Sequence, residues 1–250
     1  MTALVTGAGG AIGSAIVRQL LAQNVDVIAH DLNEVALEMY RGDPQVTIAV
    51  GNLLSEVFPE VMRTALDGRE LSRVVAAHGV DGSGRLAAID SSYYKKVMAI
   101  NAESVVRLFS AVEADLIQSP SAGQPISSTF VIVSSQAGLI AEADNVAYSS
   151  SKFALIGWAR SRRRALLRRG IAIRIAAPGC TETPLFYAAQ EEFAAANGVS
   201  LEEFLQRRLD RIAVRRFAST DQTAAGTVYL SEPTQQRPFI LAATGGEVRH

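Results

Sequence analysis

Tyr148 and Lys152 stand four residues apart in this chain. In a helix, side chains at this spacing lie on one face, so a phenol and an ammonium would act on the same small volume. A free tyrosine has a pKa of about 10, and a cation held nearby favours the phenolate and lowers that pKa. Bringing the pKa close to neutrality takes roughly 4 kcal/mol, which a buried lysine together with a positively charged cofactor could supply. The pair therefore predicts a proton-transfer site; the alternative is a half-buried tyrosine beside a solvated lysine, which the same spacing also produces.

A glycine-rich turn near the start of the chain predicts dinucleotide binding. The segment Thr6–Gly13 contains four glycines and lies between the first apolar run and the first helical pattern. Glycines let the backbone turn tightly and approach a phosphate, and the N-terminus of the following helix presents free N–H groups to a pyrophosphate. Glycines also occur in ordinary turns, so the position at the first strand–helix junction is what carries the prediction.

Asp31 follows the second apolar run and indicates which dinucleotide is bound. A carboxylate at this position can accept a hydrogen bond from the 2′-hydroxyl of the adenosine ribose, and it would repel a 2′-phosphate. The neighbouring Leu32 and Gly10 supply no cation for such a phosphate. NAD is therefore favoured over NADP. Asp31 or Asn33 could also cap the next helix, and the two roles are compatible.

Short apolar runs alternate with amphipathic stretches along the chain. Runs that are apolar throughout are typical of strands buried on both faces, and their alternation with helical patterns predicts a parallel sheet covered by helices. We expect an α/β fold with a Rossmann-type, doubly wound parallel sheet of about seven strands, helices on both faces, and a single domain over residues 1–250. The predicted strands are Ala3–Thr6, Val25–His30, Val46–Val50, Arg73–Ala77, Thr129–Ser134, Ile171–Ala176 and Phe239–Ala242.

Composition narrows the class of protein. The 250 residues are 48% hydrophobic and 20% charged, which excludes a disordered chain. A formal net charge of -1 gives no positive field for nucleic acid. The lone Cys180 permits no internal disulfide, and we expect a soluble cytoplasmic protein because neither a signal peptide nor a transmembrane run is recognisable. No His, Cys and Asp stand at metal-ligand spacing, so no metal is expected.

Taken together, the motifs resemble those of the short-chain dehydrogenase/reductase family, from Leu4 to about Gly246. Ser135 precedes Tyr148 by thirteen residues, the spacing usual in that family. Ala11 departs from the family pattern because it stands where the middle glycine of the turn is usual, and such a small replacement should preserve cofactor binding. The other matching positions are Thr6, Gly7, Gly13, Asn101, Lys152, Pro178, Gly179, Thr183, Gly245 and Gly246.

The resemblance implies a function and a role for each of these positions. Tyr148 would exchange the proton of a substrate hydroxyl as a hydride passes to or from the nicotinamide, and Lys152 would lower its pKa and hold the nicotinamide ribose. Ser135 would orient the substrate oxygen, and Asn101 would position a water beside Lys152. Cofactor contacts are expected from Gly7, Gly9, Gly10, Ala11, Ile12, Gly13, Asp31, Asn52, Leu53, Ala77, Gly79, Tyr148, Lys152, Pro178, Gly179, Thr181 and Thr183.

Three further departures from the family pattern affect the cofactor loop and the oligomer. Ala76–Gly79 replaces the usual Asn-Asn-Ala-Gly, and this change is expected to affect the local rigidity of the loop. His78 within this segment is expected only to fill space. Asn52 replaces an aspartate that usually contacts the adenine. Arg162–Arg164 lies on a helix that normally packs between subunits of a homotetramer or dimer. These arginines would pair with acids of a partner subunit, change the oligomer, or form a solvated basic face.

The substrate is expected to be a small alcohol or ketone. Pro184–Arg216 would form a lid, and substrate contacts are expected from Ser135, Gln136, Tyr148, Leu185 and Phe186, with Ile140, Glu142, Asn145, Tyr187, Phe193 and Phe204 as further candidates. An aliphatic or alicyclic alcohol, a hydroxyacyl chain, a steroid-like ring and a sugar remain open. The alternatives to an NAD(H)-dependent dehydrogenase are an NADPH-dependent 3-oxoacyl reductase, which Asp31 disfavours, and a non-catalytic NAD(H) sensor or scaffold.

Overall fold

Seven parallel strands form one sheet in the computed structural model, which describes residues 1–81, 91–117, 125–143 and 145–248. The order across the sheet is β3-β2-β1-β4-β5-β6-β7, and each neighbouring pair is parallel. The strands are β1 (Thr2–Thr6), β2 (Asp26–Asp31), β3 (Val46–Val50), β4 (Leu71–Ala76), β5 (Ser128–Val133), β6 (Ile171–Pro178) and β7 (Ile240–Ala243). The seven predicted strands are confirmed, with ends that differ by up to two residues.

Helices cover both faces of the sheet, as predicted. Helices α1 and α8 pack on one face around Ile16, Leu20 and Val228, whereas α2, α4 and α5 pack on the other. The helices are α1 (Ala11–Leu21), α2 (Phe58–Leu66), α3 (Ser91–Met98), α4 (Ser104–Val112), α5 (Val146–Leu167), α6 (Pro184–Ala196), α7 (Leu201–Arg211) and α8 (Thr220–Ser231). Within the described ranges, no helix combines the length and the apolar character needed to cross a membrane.

Three irregular helical elements follow the described strands and helices: the 3-10 helix Val35–Tyr40 after β2, and two that lie beside the cleft described next. A π-helical turn, Ala99–Glu103, joins α3 to α4, where the sequence pattern predicts one regular helix. A 3-10 turn, Gln136–Gly138, follows β5. The segment Pro184–Arg216, predicted to form a lid, contains α6 and α7. Such irregular turns often mark functional sites, and the turns at Ala99–Glu103 and Gln136–Gly138 both lie beside that cleft.

Candidate active site

The sheet reverses its winding between β1 and β4, and this switch point creates a cleft. The chain leaves β1 through α1 on one face and reaches β4 through α2 on the other, so the loops after these strands diverge. The resulting cleft encloses about 590 Å³. Its walls include twelve residues predicted to contact the cofactor: Gly7, Gly9, Gly10, Ala11, Ile12, Gly13, Asp31, Asn52, Leu53, Ala77, Gly79 and Thr183.

The glycine-rich turn is closed so tightly that larger side chains are excluded. Gly7 has φ +70°, a left-handed conformation that favours glycine. A Cβ added at Gly13 would lie 1.9 Å from the carbonyl oxygen of Gly7, well inside contact distance. This packing brings the first turn of α1 against the loop and leaves the helix N-terminus facing the cleft. Ala11 lies on the cleft wall beside it.

The Asp31 carboxylate lies at the edge of the same cleft and is held by two backbone donors. Its Oδ2 accepts the N–H of Gly9 at 3.0 Å, and its Oδ1 accepts the N–H of Asn33 at 3.0 Å. These contacts fix the carboxylate toward the glycine turn. Neither Asp31 nor Asn33 is the N-cap of the next helix, Val35–Tyr40, whose N-cap is Glu34, so the alternative capping role is not observed. In the part of the chain that the structure describes, neither lysine nor arginine lines this cleft.

A second, smaller cleft of about 180 Å³ continues from the first. The two share Ile12, Ala77, Gly79 and Thr183 in their walls. The smaller cleft brings together the remaining predicted site residues except Asn101: Ser135, Gln136, Tyr148, Lys152, Pro178, Gly179, Thr181, Leu185 and Phe186. The predicted proton-transfer group thus lies where the larger cleft ends.

Lys152 and Tyr148 project from one face of α5, as the spacing predicts. The Lys152 Nζ lies 5.3 Å from the centroid of the Tyr148 ring and donates to the Val133 carbonyl at 3.1 Å. Burial lowers the pKa of Lys152 to about 8, and the Asp81 carboxylate opposes this effect. Burial also raises the pKa of Tyr148, whereas its hydrogen bond with Ser135 acts in the opposite direction. The lowering of the Tyr148 pKa expected from the sequence is therefore not observed, because desolvation outweighs the hydrogen bond with Ser135 and the carboxylates of Asp81 and Glu142 also raise this pKa.

Ser135 has an extended conformation, caps the start of the 3-10 turn after β5 and faces the smaller cleft. Its Oγ accepts the N–H of Ala137 at 3.1 Å, so the hydroxyl hydrogen stays available to a ligand or to Tyr148. Thr183 caps α6 by accepting the N–H of Phe186 at 3.0 Å and also lines both clefts. Thr181 is buried, and its hydroxyl contacts that of Thr223 at 2.9 Å.

Asn101 is fully buried and lies behind the cleft wall rather than on it. Its Oδ1 accepts the N–H of Val80 at 2.8 Å, while its Nδ2 donates to the Val80 carbonyl at 2.9 Å and to the Ser151 hydroxyl at 3.1 Å. The π-helical turn presents the side chain in this position. Asn101 therefore fixes the loop after β4; its predicted role of positioning a water remains a prediction.

His78 was expected to fill space, but it connects two elements. The Ser104 hydroxyl donates to the Ile100 carbonyl, so it must accept from the His78 Nε2, 2.7 Å away. The His78 Nδ1 is then the acceptor for the Thr6 hydroxyl at 2.6 Å. Burial lowers the pKa of His78 to about 3, which keeps the ring neutral as this arrangement requires. The ring joins the end of β1 to α4 behind the glycine turn.

The lid helices add residues that sequence reasoning did not select. Arg208 on α7 reaches the smaller cleft, where its guanidinium lies 3.7 Å from Glu142 and 3.3 Å from the Cys180 sulfur. Asp81 and Gln190 line the same cleft, whereas Ile140, Tyr187 and Phe204 do not. Arg208 carries no local sequence signal, because only the packing of α7 over β6 and the loop after β5 turns it inward.

The arginine segment of α5 has partners within its own chain. Arg162 donates to Glu113 at 3.1 Å and packs over the Phe109 ring, with 5.4 Å between the guanidinium carbon and the ring centroid. Arg163 lies over the Phe239 ring at 5.0 Å, and Arg164 is exposed. A partner subunit is therefore not needed to account for Arg162.

Comparison with known proteins gives a consistent match. Residues 1–193 match the family model for short chain dehydrogenases. The chain is 28% identical to (3R)-3-hydroxyacyl-CoA dehydrogenase of Mus musculus, over 73% of this chain and 74% of that protein. It is 24% identical to the 3-oxoacyl-(acyl-carrier-protein) reductase FabG of Vibrio harveyi, over 92% of this chain and 89% of that protein. A short chain dehydrogenase family protein from Francisella tularensis superposes with a TM-score of 0.84 over 98% of both chains; at 21% identity this shows the fold alone.

Proposed function

This chain belongs to the short-chain dehydrogenase/reductase family, and we propose that it transfers a hydride between NAD(H) and a secondary alcohol or its ketone, with Tyr148 as general acid and base. The family assignment makes it an NAD(P)-dependent oxidoreductase acting on alcohol or ketone groups. The observation that carries the finer proposal is the continuous pair of clefts, with Tyr148 and Ser135 at the far end from Asp31.

The residues of the larger cleft fit a dinucleotide. Because neither Gly7 nor Gly13 has a Cβ, the turn packs closely against its neighbouring backbone, and a pyrophosphate could approach the backbone N–H groups at the start of α1. Asp31 would accept the 2′-hydroxyl of the adenosine ribose and repel a 2′-phosphate. Lys152, with one hydrogen bond to Val133 among the described residues, has donors left for the nicotinamide ribose. When bound, NAD supplies the hydride acceptor, and NADH the donor.

The residues of the smaller cleft would handle the proton. In alcohol oxidation, the Tyr148 oxygen takes the hydroxyl proton of the substrate, and in ketone reduction it returns that proton. Ser135 donates a hydrogen bond to the substrate oxygen and orients it. Because burial raises the pKa of Tyr148 in the cofactor-free cleft, the phenolate needs the positive charge of Lys152 and of the oxidised cofactor. Tyr148 is therefore expected to become a competent base only in the NAD complex.

Two measurements test the cofactor and the base separately. Fluorescence titration should show NADH binding at least about tenfold more tightly than NADPH, since a 2′-phosphate would face Asp31 with no cation beside it. Equal or tighter NADPH binding would contradict the assignment of Asp31. Replacing Tyr148 by Phe should lower turnover by about 10²–10⁴-fold and leave NADH affinity unchanged. Tyr229→Phe, on the exposed face of α8, is the matched control and should retain full turnover.

We also propose that the chain is a cytoplasmic homo-oligomer, a dimer or a tetramer. Phe153 on α5 is 43% exposed and Val146 on the same helix 42%, so α5 carries apolar surface that a second copy could cover. The single Cys180 is compatible with a reducing compartment. Sedimentation equilibrium would test the association, and a monomer at micromolar concentration would contradict it.

A further inference from the structure

Three primary amides line the substrate end of the smaller cleft, and each is almost completely buried. Gln136 is 2% exposed, Asn145 4% and Gln190 3%. Three amides in so small a cleft are unusual for a site that binds only an apolar chain, because a buried polar group is costly unless it is hydrogen-bonded. The way each amide is bonded therefore indicates what the cleft accepts.

The amino group of each amide is fixed by an acceptor. Gln136 Nε2 donates to the Glu247 carboxylate at 2.8 Å, and Asn145 Nδ2 donates to the Asp81 carboxylate at 2.7 Å. A carboxylate can only accept, so the amide orientation is determined: turning either amide over would place oxygen against oxygen. These two contacts leave the amide oxygen of each side chain as the group without an assigned partner.

The oxygens of all three amides are buried and accept no hydrogen bond from any residue in the described ranges. Gln190 follows the same pattern, since its Nε2 donates to the Phe186 carbonyl at 3.3 Å and its Oε1 is unpaired. An unsatisfied buried acceptor costs about 1–3 kcal/mol. A ligand that supplies hydrogen-bond donors to this wall would recover part of that cost, and a hydrocarbon chain would recover none.

Charges on the same wall balance one another. The carboxylates of Asp81 and Glu142 face the cleft together with the cations Lys152 and Arg208. Glu142 lies 3.7 Å from Arg208, and the Asp81 carboxylate acts electrostatically on Lys152. Two acids and two cations on one wall leave no net charge to attract a free carboxylate or phosphate, so the arrangement favours an uncharged substrate.

We infer that the substrate is a neutral polyhydroxylated alcohol, such as a polyol, cyclitol or sugar, whose additional hydroxyls donate to the oxygens of Gln136, Asn145 and Gln190. This inference rests on the proposed function and specifies its substrate. Each oxygen is buried, so a substrate hydroxyl reaches it after a small rotation about the terminal torsion of the amide, which is broad and moves the oxygen and the amino group together. The cleft volume of about 180 Å³ suits a compact molecule of this kind, being below the ~300–1,000 Å³ of drug-sized sites.

The test compares alcohols matched in carbon skeleton, with NAD as the oxidant and NADH absorbance as the signal. Sorbitol is paired with 2-hexanol, myo-inositol with cyclohexanol, and glucose with tetrahydropyran-4-ol, which shares the pyranose ring; 3-hydroxybutyrate and its N-acetylcysteamine thioester represent acids and acyl chains. We expect the best polyhydroxylated compound to exceed its monohydroxy partner by at least about 100-fold in kcat/KM, because sites built to bind a hydroxyl reject analogues that lack it.

Substitutions of the amide side chains test whether they cause the preference for polyhydroxylated substrates. Gln136→Met and Gln190→Met should each lower kcat/KM for the polyhydroxylated substrate about tenfold or more beyond any fall in kcat/KM for the monohydroxy partner. Using two sites keeps the test valid if one variant folds poorly. Gln206→Met, on the exposed part of α7, is the matched control and should change neither. In a second readout, the NADH complex of the Tyr148→Phe protein should gain thermal stability from the polyhydroxylated compound and none from its partner.

The outcomes separate this inference from the proposed function. Turnover of a monohydroxy alcohol, the acid or the thioester at least as fast as of any polyhydroxylated compound would overturn the inference and leave the proposed dehydrogenase activity standing. If no compound is oxidised and none stabilises the NADH complex, both fail. An equal loss for both members of a pair in the Gln136→Met and Gln190→Met proteins would show that the amides support the fold and do not select the substrate.

Discussion

Replacing Lys152 by Met should make the cofactor-free protein more stable and inactive at the same time. The Lys152 ammonium is 4% exposed and has one hydrogen bond, to the Val133 carbonyl, within the described ranges. Burial lowers its pKa from 10.5 to about 8, so the folded protein holds this proton less tightly than the unfolded chain does. The charged lysine therefore destabilises the fold, by about 3 kcal/mol near neutral pH if the whole difference is expressed. Methionine has a similar length and carries no charge.

The pH dependence gives the sharpest form of this prediction. Between about pH 8 and about pH 10.5 the unfolded chain binds more protons than the folded protein at this site, so stability rises with pH as the folded lysine becomes neutral. The free energy of unfolding of the wild type should rise by about 2 kcal/mol relative to that of Lys152→Met between about pH 7.5 and about pH 9.5. Losing the hydrogen bond to Val133 costs about 1 kcal/mol in the variant and shifts its curve without changing the slope.

Urea unfolding of the cofactor-free protein at a series of pH values measures this slope. Lys96→Met is the matched control, because Lys96 is exposed on α3 and should give a curve parallel to the wild type. Parallel curves for the wild type and Lys152→Met over the same range would refute the reasoning, since they would mean that burial does not disturb the protonation of Lys152. Turnover should be lost in Lys152→Met in either case, so activity alone cannot decide the question.

Two further predictions concern the glycine turn and His78. Gly13→Ala should abolish NADH binding and destabilise the fold, because the new Cβ would lie 1.9 Å from the Gly7 carbonyl oxygen; Gly157→Ala, on α5 with no atom within 4 Å of its Cβ, should stabilise by about 1 kcal/mol. Fluorescence titration and urea unfolding check both, and unchanged NADH affinity in Gly13→Ala would contradict the tight closure. His78 has its pKa lowered to about 3 by burial, so the unfolded chain binds more protons below about pH 6.5 and stability falls as the pH is lowered. His78→Asn should reduce this acid sensitivity in unfolding measurements at about pH 7 and about pH 5, and an unchanged slope would show that His78 is not held neutral.

Most of the framework is predictable from sequence because parallel strands buried on both faces have apolar centres, such as Ala3–Val5 in β1 and Phe130–Val133 in β5. The Tyr148–Lys152 spacing likewise places both side chains on one face of α5. The pKa of Tyr148 could not be predicted in the same way. Spacing gives the distance to the ammonium, whereas desolvation depends on side chains from the lid and from the loop after β5, which are distant in sequence.

Contacts between remote segments account for what sequence reasoning missed. The π-helical turn around Asn101 carries no local signal, since Ala99–Glu103 contains neither proline nor glycine. Its extra residue turns the Asn101 side chain toward both Val80 and Ser151, which belong to other elements. Arg208 is one of several arginines on an amphipathic helix, and only the docking of α7 decides which of them faces the cleft.

At Ala76–Gly79, where the sequence departs from the family pattern, a different side chain supports the loop after β4. The family resemblance implies that an asparagine amide usually helps fix the central strands here, and Ala76 and Ala77 supply no amide side chain. One residue later, the His78 ring joins the Thr6 hydroxyl to the Ser104 hydroxyl and so ties the loop to β1 and α4. Asn101 then holds Val80 by two hydrogen bonds. Because this loop forms a wall of both clefts, a rigid loop would keep the cofactor and substrate ends of the site aligned. The His78 imidazole supports the loop in place of the missing amide.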